Sequence, residues 1–216
     1  MKKNLFFAFL MGVVLFFNSC TGCNGSGESS LVDTITIDNP TLDAAHLTAL
    51  DKQAMYLTHQ DGNYRWYETQ IVMKDFLDEE TTGEIAELVN VFQYVTDCDN
   101  NSYDVKVYKF KHFADGTVAN DSTEGFWIED FPLVDSLVTI SYDSAFALVQ
   151  QVNFPKPHSR HVVLRNPIGA VEVNPQWVFG NVHEQLWVDA FTGDIKNSNP
   201  VFPEEKGFKM PLGEWP

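Results

Sequence analysis

Three short clusters hold the residue types that could carry chemistry. His158 and His161 are two imidazoles three positions apart, which is how some metal sites begin. His183 and Glu184 start like the helix of a zinc protease. Residues 97–101 start like a calcium loop, because acidic and amide side chains stand at alternate positions. Each pattern is only the beginning of a site.

None of the three clusters is followed by the ligands that its chemistry requires. His158 and His161 are two histidines alone, which is a weak signal for a metal site. Glu184 lacks the second histidine of the zinc-protease motif, and its surroundings have a strand pattern, which does not place two imidazoles on one helical face. In the calcium-like stretch, Ser102 replaces the glycine and Tyr108 stands in place of the bidentate glutamate. Cys98 has no second cysteine at redox spacing. The sequence therefore predicts no metal, no cofactor and no enzyme.

Residues 185–195 form the most informative pattern in the chain, a strand that ends in a glycine turn. Side chains alternate there with the period of two that is typical of a β-strand. Gly193 can take a positive φ, and Asp189 can accept hydrogen bonds from the amides of the turn that follows. A catalytic Asp189 is the alternative. Since bonding of a carboxylate to a turn is so common, we predict a structural role for Asp189 and Gly193.

This stretch resembles the end of a PepSY domain, whose last strand reads aromatic, x, Val-Asp-Ala, x, Thr-Gly-acid, aliphatic. The residues of these types are Trp187, which here stands directly before Val188, then Val188, Asp189, Ala190, Thr192, Gly193, Asp194 and Ile195. The family opens with a short helix, and residues 141–152 fit one, with Ser141 as the N-cap. The resemblance covers residues 136–198, although residues 166–169 and 174–175 add turns that a minimal PepSY unit lacks. It implies a helix on an antiparallel sheet and a role in restraining or regulating a peptidase.

The N-terminus has the features of a lipoprotein signal peptide. Lys2 and Lys3 precede an apolar run of 13 residues, 5–17, which is too short to cross a bilayer. Cys20 follows after Asn18 and Ser19 and is the predicted lipidation site, with Cys23 as the rival. The leader resembles the loose lipoboxes of Bacteroidetes lipoproteins. These features predict residues 1–19 as signal peptide and a lipid anchor in the bacterial cell envelope, on the periplasmic or the outer-surface side.

Charge and composition limit the partners of the mature protein. Residues 20–32 are mostly small and polar, which predicts a flexible tether. Removal of Lys2 and Lys3 leaves 12 basic residues against 30 acidic residues, a net charge of −18. Nucleic acid and anionic lipid headgroups would repel such a surface. The lipid, and not electrostatic attraction, is therefore expected to hold the protein at the membrane. Whether Cys23 and Cys98 form a disulfide stays open.

The segment 33–135 is predicted to be rich in β-structure. A helix is expected to start at residues 38–41 and to bury Leu42, Ala45, His46, Ala49 and Leu50. Strands are predicted at residues 64–73, 88–95 and 103–110, followed by a hairpin turn at 115–116 and a return strand at 126–128. For residues 88–95, a helix that starts at Glu84 is the alternative. The pattern indicates an antiparallel meander of about four strands. Whether this segment is a diverged second PepSY-like unit stays open.

The sequence as a whole predicts an α+β protein: an antiparallel β-rich segment, 33–135, then a PepSY-like helix-on-sheet unit, 136–198, and an extended tail, 199–216. The first function hypothesis is a non-enzymatic envelope lipoprotein that binds or regulates a peptidase or another envelope partner. The alternative is a surface lipoprotein that captures carbohydrate or peptide with aromatic side chains on one sheet face. Trp66 and Trp177 are the residues predicted for that role.

Overall fold

The computed structural model describes residues 42–98, 102–128, 130–168 and 174–197. The first element is helix α1, Ala44–Thr58. Asp43 caps this helix, because its side chain accepts a hydrogen bond from the N–H of His46 at 3.0 Å. The helix therefore starts at Ala44, later than the predicted start at residues 38–41, which lie outside the described residues.

The buried face of α1 differs from the predicted face. Ala45, His46, Ala49 and Leu50 are exposed. The residues that the helix buries are Ala44, Leu47, Thr48, Asp51 and Met55. The prediction was wrong because two of these five residues are polar, so the face that contacts the sheet carries a weak apolar signal.

A meander of four strands follows α1, as predicted: β1 Tyr64–Met73, β2 Ile85–Cys98, β3 Ser102–Phe113 and β4 Val118–Glu124. The fourth strand, however, is not the predicted one at residues 126–128. Asp115 accepts a hydrogen bond from the N–H of Thr117 at 2.8 Å, and Gly116 has a φ of +84°. This tight turn starts the return strand at once, in a polar stretch that has little strand pattern.

The second half of the chain repeats the order of the first, a helix followed by four strands. Helix α2 spans Tyr142–Gln151, and Ser141 caps it by accepting a hydrogen bond from the N–H of Ser144 at 3.3 Å. The strands are β6 His161–Pro167, β7 Gln176–Gly180, β8 Gln185–Asp189 and β9 Ile195–Asn197. The short strand β5, Asp130–Phe131, lies between the halves and pairs with β6.

The nine strands of the described residues belong to one antiparallel sheet in the order β4-β3-β2-β1-β6-β7-β8-β9, with β5 beside β6. The first strand of each half, β1 and β6, form the central pair, in which Gln70 lies opposite Val163. The order runs outward from this pair in both directions, so a two-fold axis relates the topology of the two halves. The predicted segments 33–135 and 136–198 thus share one sheet in an α+β fold.

Both helices pack on the same face of the sheet. One core cluster contains Leu47 and Met55 of α1, Ala145 and Val149 of α2, and strand residues of both halves, Phe92 and Phe179 among them. A strand points alternate side chains to opposite faces. The remaining strand side chains therefore lie on the second face, here called the helix-free face, which carries the candidate functional site.

Candidate functional site

The helix-free face has an apolar floor on its N-terminal side. Val89 and Val91 of β2 and Val107 of β3 are buried in a small cluster separate from the main core. Val89 and Val91 alternate with Leu88, Asn90 and Phe92, which face the helices. Since no helix in the described part of the chain packs on these valines, another segment must cover them.

That segment is the strap, defined here as residues 125–128 and 130–134, which leads from β4 back to the centre of the sheet. Trp127 of the strap packs on the three valines. Its backbone N–H donates to Oε1 of Gln93 at 2.7 Å, and Nζ of Lys109 lies 5.3 Å from its ring centroid. Further along, the N–H of Leu133 donates to the carbonyl of Trp66 at 2.7 Å. The strap is thus fixed to the sheet at two places.

The strap carries several exposed apolar side chains. Phe126 and Ile128 flank Trp127 and are 66% and 77% exposed. Phe131 and Val134 follow and are 51% and 47% exposed. These four large apolar side chains, which lie within nine positions of the sequence, are called the exposed apolar row here. Several exposed apolar residues in one segment mark an interaction surface more often than single exposed residues do. Sequence reasoning treated residues 126–128 as a strand and missed this row.

A ladder of polar residues crosses the centre of the helix-free face in directly opposite positions. Glu68 of β1 is paired with Arg165 of β6, Arg165 with Gln176 of β7, and Gln176 with Asp189 of β8. The guanidinium of Arg165 contacts Oδ1 of the buried Asp130 at 2.6 and 2.7 Å. Held in these bonds, the carboxylate of Asp130 fixes β5 to β6, which is a structural use of its charge.

The two tryptophans predicted to bind ligand lie in the core. Trp66 is 7% exposed and Trp177 is 4% exposed. The Nε1–H of Trp66 donates to the carbonyl of Glu68 at 3.1 Å, and that of Trp177 to the carbonyl of Ile140 at 2.8 Å. Both rings therefore have their donors satisfied on the helix-covered side of the sheet. A ligand role for Trp66 and Trp177 is not compatible with this burial, which corrects the prediction.

A buried polar network joins α1 to the sheet, and no sequence pattern pointed to it. Nε2 of His112 lies 3.0 Å from each carboxylate oxygen of Asp51. Asp51 also accepts from Nδ2 of Asn90 at 2.7 Å, and Oδ1 of Asn90 accepts from the hydroxyls of Thr48 and Thr69. Asp51, Asn90 and His112 are 4%, 0% and 5% exposed.

The Asp51–His112 pair has the composition of a catalytic base, but its surroundings do not complete a catalytic site. A hydroxyl nucleophile needs a hydrogen bond to the imidazole, whereas Thr48 and Thr69 donate to Asn90 instead. Nδ1 of His112 is buried and has no partner in the described part of the chain. The arrangement attaches a helix to a sheet, and its geometry gives no route for a substrate.

Asp189 organises the turn after β8. Its Oδ1 accepts hydrogen bonds from the N–H groups of Phe191 and Thr192, both at 2.9 Å. Its Oδ2 accepts from Nδ2 of Asn174 at 3.0 Å, and Gly193 takes a φ of +80°. Partial burial pushes the pKa of Asp189 up, but these hydrogen bonds outweigh burial and hold the pKa below its usual range.

Asp189→Ala is expected to lower the free energy of unfolding by about 1–2 kcal/mol at neutral pH, because it removes the acceptor for two turn amides. A carboxyl whose pKa is lowered by folding stabilises the protein fully above its ordinary pKa. That contribution is lost as the pH falls through the lower folded value. Urea titrations should show the difference from the native chain shrinking below about pH 4. If the difference in free energy of unfolding between Asp189→Ala and the native chain stays constant with pH, the effect is due to packing. Asp194→Ala, which removes the other carboxylate of this turn, is the matched control.

The sequence clusters considered for metal binding are dispersed. His158 stacks on Phe76 with ring centroids 4.1 Å apart, while His161 begins β6 and is exposed. His183 lies in the turn between β7 and β8. Across the described ranges, no group of three or more His, Cys, Asp or Glu side chains could hold a metal ion. Residues 99–101 of the calcium-like stretch lie outside the described residues.

The N-terminal predictions concern a part of the chain outside the described residues. Cys20 and Cys23 lie there, as do the tether, 20–32, and the tail, 199–216. Cys98 ends β2. Within the described ranges, neither helix is long and apolar enough to span a bilayer.

Comparison with known proteins found no match for this chain. No family model matches the chain, and neither a curated protein nor a solved structure matches it with statistical significance.

Proposed function

We propose that this chain is a lipid-anchored, non-enzymatic binding module of the bacterial cell envelope, acting on a peptidase or another envelope protein. The observation that carries the proposal is the exposed apolar row of the strap, Phe126, Ile128, Phe131 and Val134. Trp127 fixes the backbone between Phe126 and Ile128 to the sheet, and the N–H of Leu133 fixes the backbone between Phe131 and Val134. A partner that covers the exposed apolar row gains buried apolar area without first ordering the segment, which favours binding.

The second half of the chain supports a PepSY-like reading of this module. Helix α2 begins directly after its cap Ser141 and is followed by antiparallel strands, and the turn of Asp189 and Gly193 joins the last two, β8 and β9. The first half has the same order of one helix and four strands. This favours two PepSY-like units joined through β1 and β6. Regulation of a peptidase is the role that the PepSY resemblance implies.

The lipid would hold the module at the membrane. A mature body of charge −18 is repelled by anionic headgroups, so lipidation of Cys20 is the proposed attachment. The tether, 20–32, would keep the strap accessible to a partner at the membrane surface. Capture of carbohydrate or peptide remains the alternative. It would use exposed aromatic side chains such as Phe126 and Phe131, because Trp66 and Trp177 are buried.

Cross-linked pull-down of the full chain from its own cells tests this proposal. We expect the native protein to capture a specific peptidase or envelope protein, identified by mass spectrometry. Cys20→Ser should lose both membrane fractionation and capture, whereas Cys23→Ser should keep both. The double variant Phe126→Ser/Ile128→Ser should stay in the membrane fraction but capture at least about tenfold less partner, since it loses the apolar row.

The matched control is Val182→Ser/Phe154→Ser, which removes two equally apolar residues, 78% and 45% exposed, far from the strap in sequence. This control should capture as much partner as the native chain. Equal capture by the strap variant and the native chain would show that the apolar row is not the binding surface. If no specific protein is captured by any variant, the partner proposal fails, and glycan binding at the strap becomes the leading alternative.

A further inference from the structure

Strand β4 leaves one edge of the sheet open beside the strap. It is the terminal strand of the sheet order, and among the described residues it pairs with β3 on its inner side only. Residues 120–124 are all exposed. The strand continues directly into the strap, in which Phe126 begins the exposed apolar row. An open edge offers unpaired backbone groups that can accept another strand.

The register identifies the backbone groups that point away from the sheet. The N–H of Phe113 donates to the carbonyl of Thr117, and the N–H of Gly125 donates to the carbonyl of Val105, both at 2.9 Å. In an antiparallel pair, hydrogen-bonded and non-hydrogen-bonded positions alternate. The odd-numbered residues of β4 therefore bond to β3. The N–H and C=O groups of Asn120, Ser122 and Glu124 point outward.

The charges of β4 favour one kind of partner. Asp121 lies opposite Lys109, and Glu124 lies opposite Lys106, so the inner neighbour β3 matches both acids with lysines three positions apart. β4 itself, Val118–Glu124, contains no basic residue. A second copy of this chain would bring the same acidic strand against itself and add a whole body of equal negative charge, which is unfavourable.

We propose that the outer edge of β4 binds an extended, positively charged segment of a protein partner as an additional β-strand. The main-chain groups of Asn120, Ser122 and Glu124 supply the hydrogen bonds. Asp121 and Glu124 favour a segment with cationic residues three positions apart, the spacing of the two lysines that lie opposite them in β3. This inference rests on the proposed function, because it states how the partner of the strap is held.

The test uses the full chain and a defined probe, an eight-residue peptide of threonine and valine with two lysines three positions apart. We expect saturable binding and slowed hydrogen exchange at the amides of Asn120, Ser122 and Glu124. The same peptide with glutamate in place of both lysines should bind at least about tenfold more weakly. A peptide N-methylated on the residues that face β4 should not bind, because it cannot donate the cross-strand hydrogen bonds.

Two sets of protein variants separate the edge from general attraction. Ser122→Pro removes an outward N–H without removing a bond to β3, and should weaken peptide binding at least about tenfold. Ser122→Ala keeps the N–H and should bind within about twofold of the native chain. If Ser122→Pro disturbs the fold, Asp121→Asn/Glu124→Gln tests the same edge through its charge and should weaken binding severalfold.

Each outcome supports or overturns the inference independently of the proposed function. Unchanged affinity in Ser122→Pro, protection outside β4, or no binding of the lysine peptide would overturn edge binding. If edge binding fails while capture of a partner still depends on Phe126 and Ile128, the proposed function stands. If the peptide binds at β4 but no envelope protein is captured from cells, the proposed function falls and the edge remains a binding site for cationic peptides.

Discussion

Phe179→Ala is expected to lower the free energy of unfolding of the whole protein by about 3–5 kcal/mol, and to destabilise both halves together. Phe179 is completely buried in the cluster that contains residues of both helices and both halves of the sheet. Its ring stacks on that of Tyr142, whose hydroxyl donates to the carbonyl of Gly83 in the first half at 2.7 Å. A cavity at this position loosens contacts on both sides of the β1–β6 pair.

Urea titration followed by circular dichroism measures the total loss, and hydrogen exchange resolves it by strand. Amides of β2 in the first half and β8 in the second half should lose the same free energy of protection, since one cooperative unit contains both. Phe126→Ala is the control. It removes an equally large ring that is 66% exposed, and should change stability by less than about 0.5 kcal/mol. Loss of protection confined to β8 would show that the halves unfold separately.

Local signals in the sequence predicted the parts of the fold that local chemistry determines. Ser141 caps α2 through a hydrogen bond three residues away, and Asp189 shapes its turn through amides two and three residues away. Such bonds depend on a few neighbouring residue types, so a short motif is enough to indicate them. The strands β1, β2 and β3 were predicted from signals that are also local: β-branched and aromatic residues in β1 and β2, and alternation of side chains in β3.

Long-range pairing accounts for what the sequence left unpredicted. Glu68 and Arg165 are 97 positions apart and lie directly opposite each other, and no local pattern indicates that their strands meet. The burial of Trp66 and Trp177 likewise depends on which sheet face the helices cover. The helix-free face and its strap therefore could not be predicted without the order of the strands in the sheet. The sequence shows that Phe126 and Ile128 are apolar, but it does not show that their side chains are exposed.

The polar attachment of α1 shows why apolar patterns alone misassigned that helix. Asp51 and Thr48 occupy positions that a core-facing helix normally gives to apolar residues. They are tolerated because Asn90 and His112 of the sheet lie within hydrogen-bonding distance of them. A buried network of this kind ties the helix to one position on the sheet, since a shift along the axis would separate all the donors from their acceptors.

His112→Ala and Asp51→Ala are each expected to lower the free energy of unfolding by about 3 kcal/mol, because each leaves a buried polar partner without its bond. The double variant Asp51→Ala/His112→Ala should lose at least about 1 kcal/mol less than the sum of the single losses, since neither partner is then left alone. Urea titrations of the four proteins measure this coupling.

The surface pair Lys74–Glu84 is the matched control for that cycle. Its Nζ–Oε2 distance is 2.6 Å, but its side chains are 41% and 53% exposed. Glu84→Gln should therefore cost less than about 1 kcal/mol in spite of the shorter contact, because water screens an exposed pair. Additive losses in the Asp51–His112 cycle would mean that the two residues act through separate packing contacts. In that case the network would not be what fixes α1, and the helix would be held by apolar contacts such as those of Leu47 and Met55.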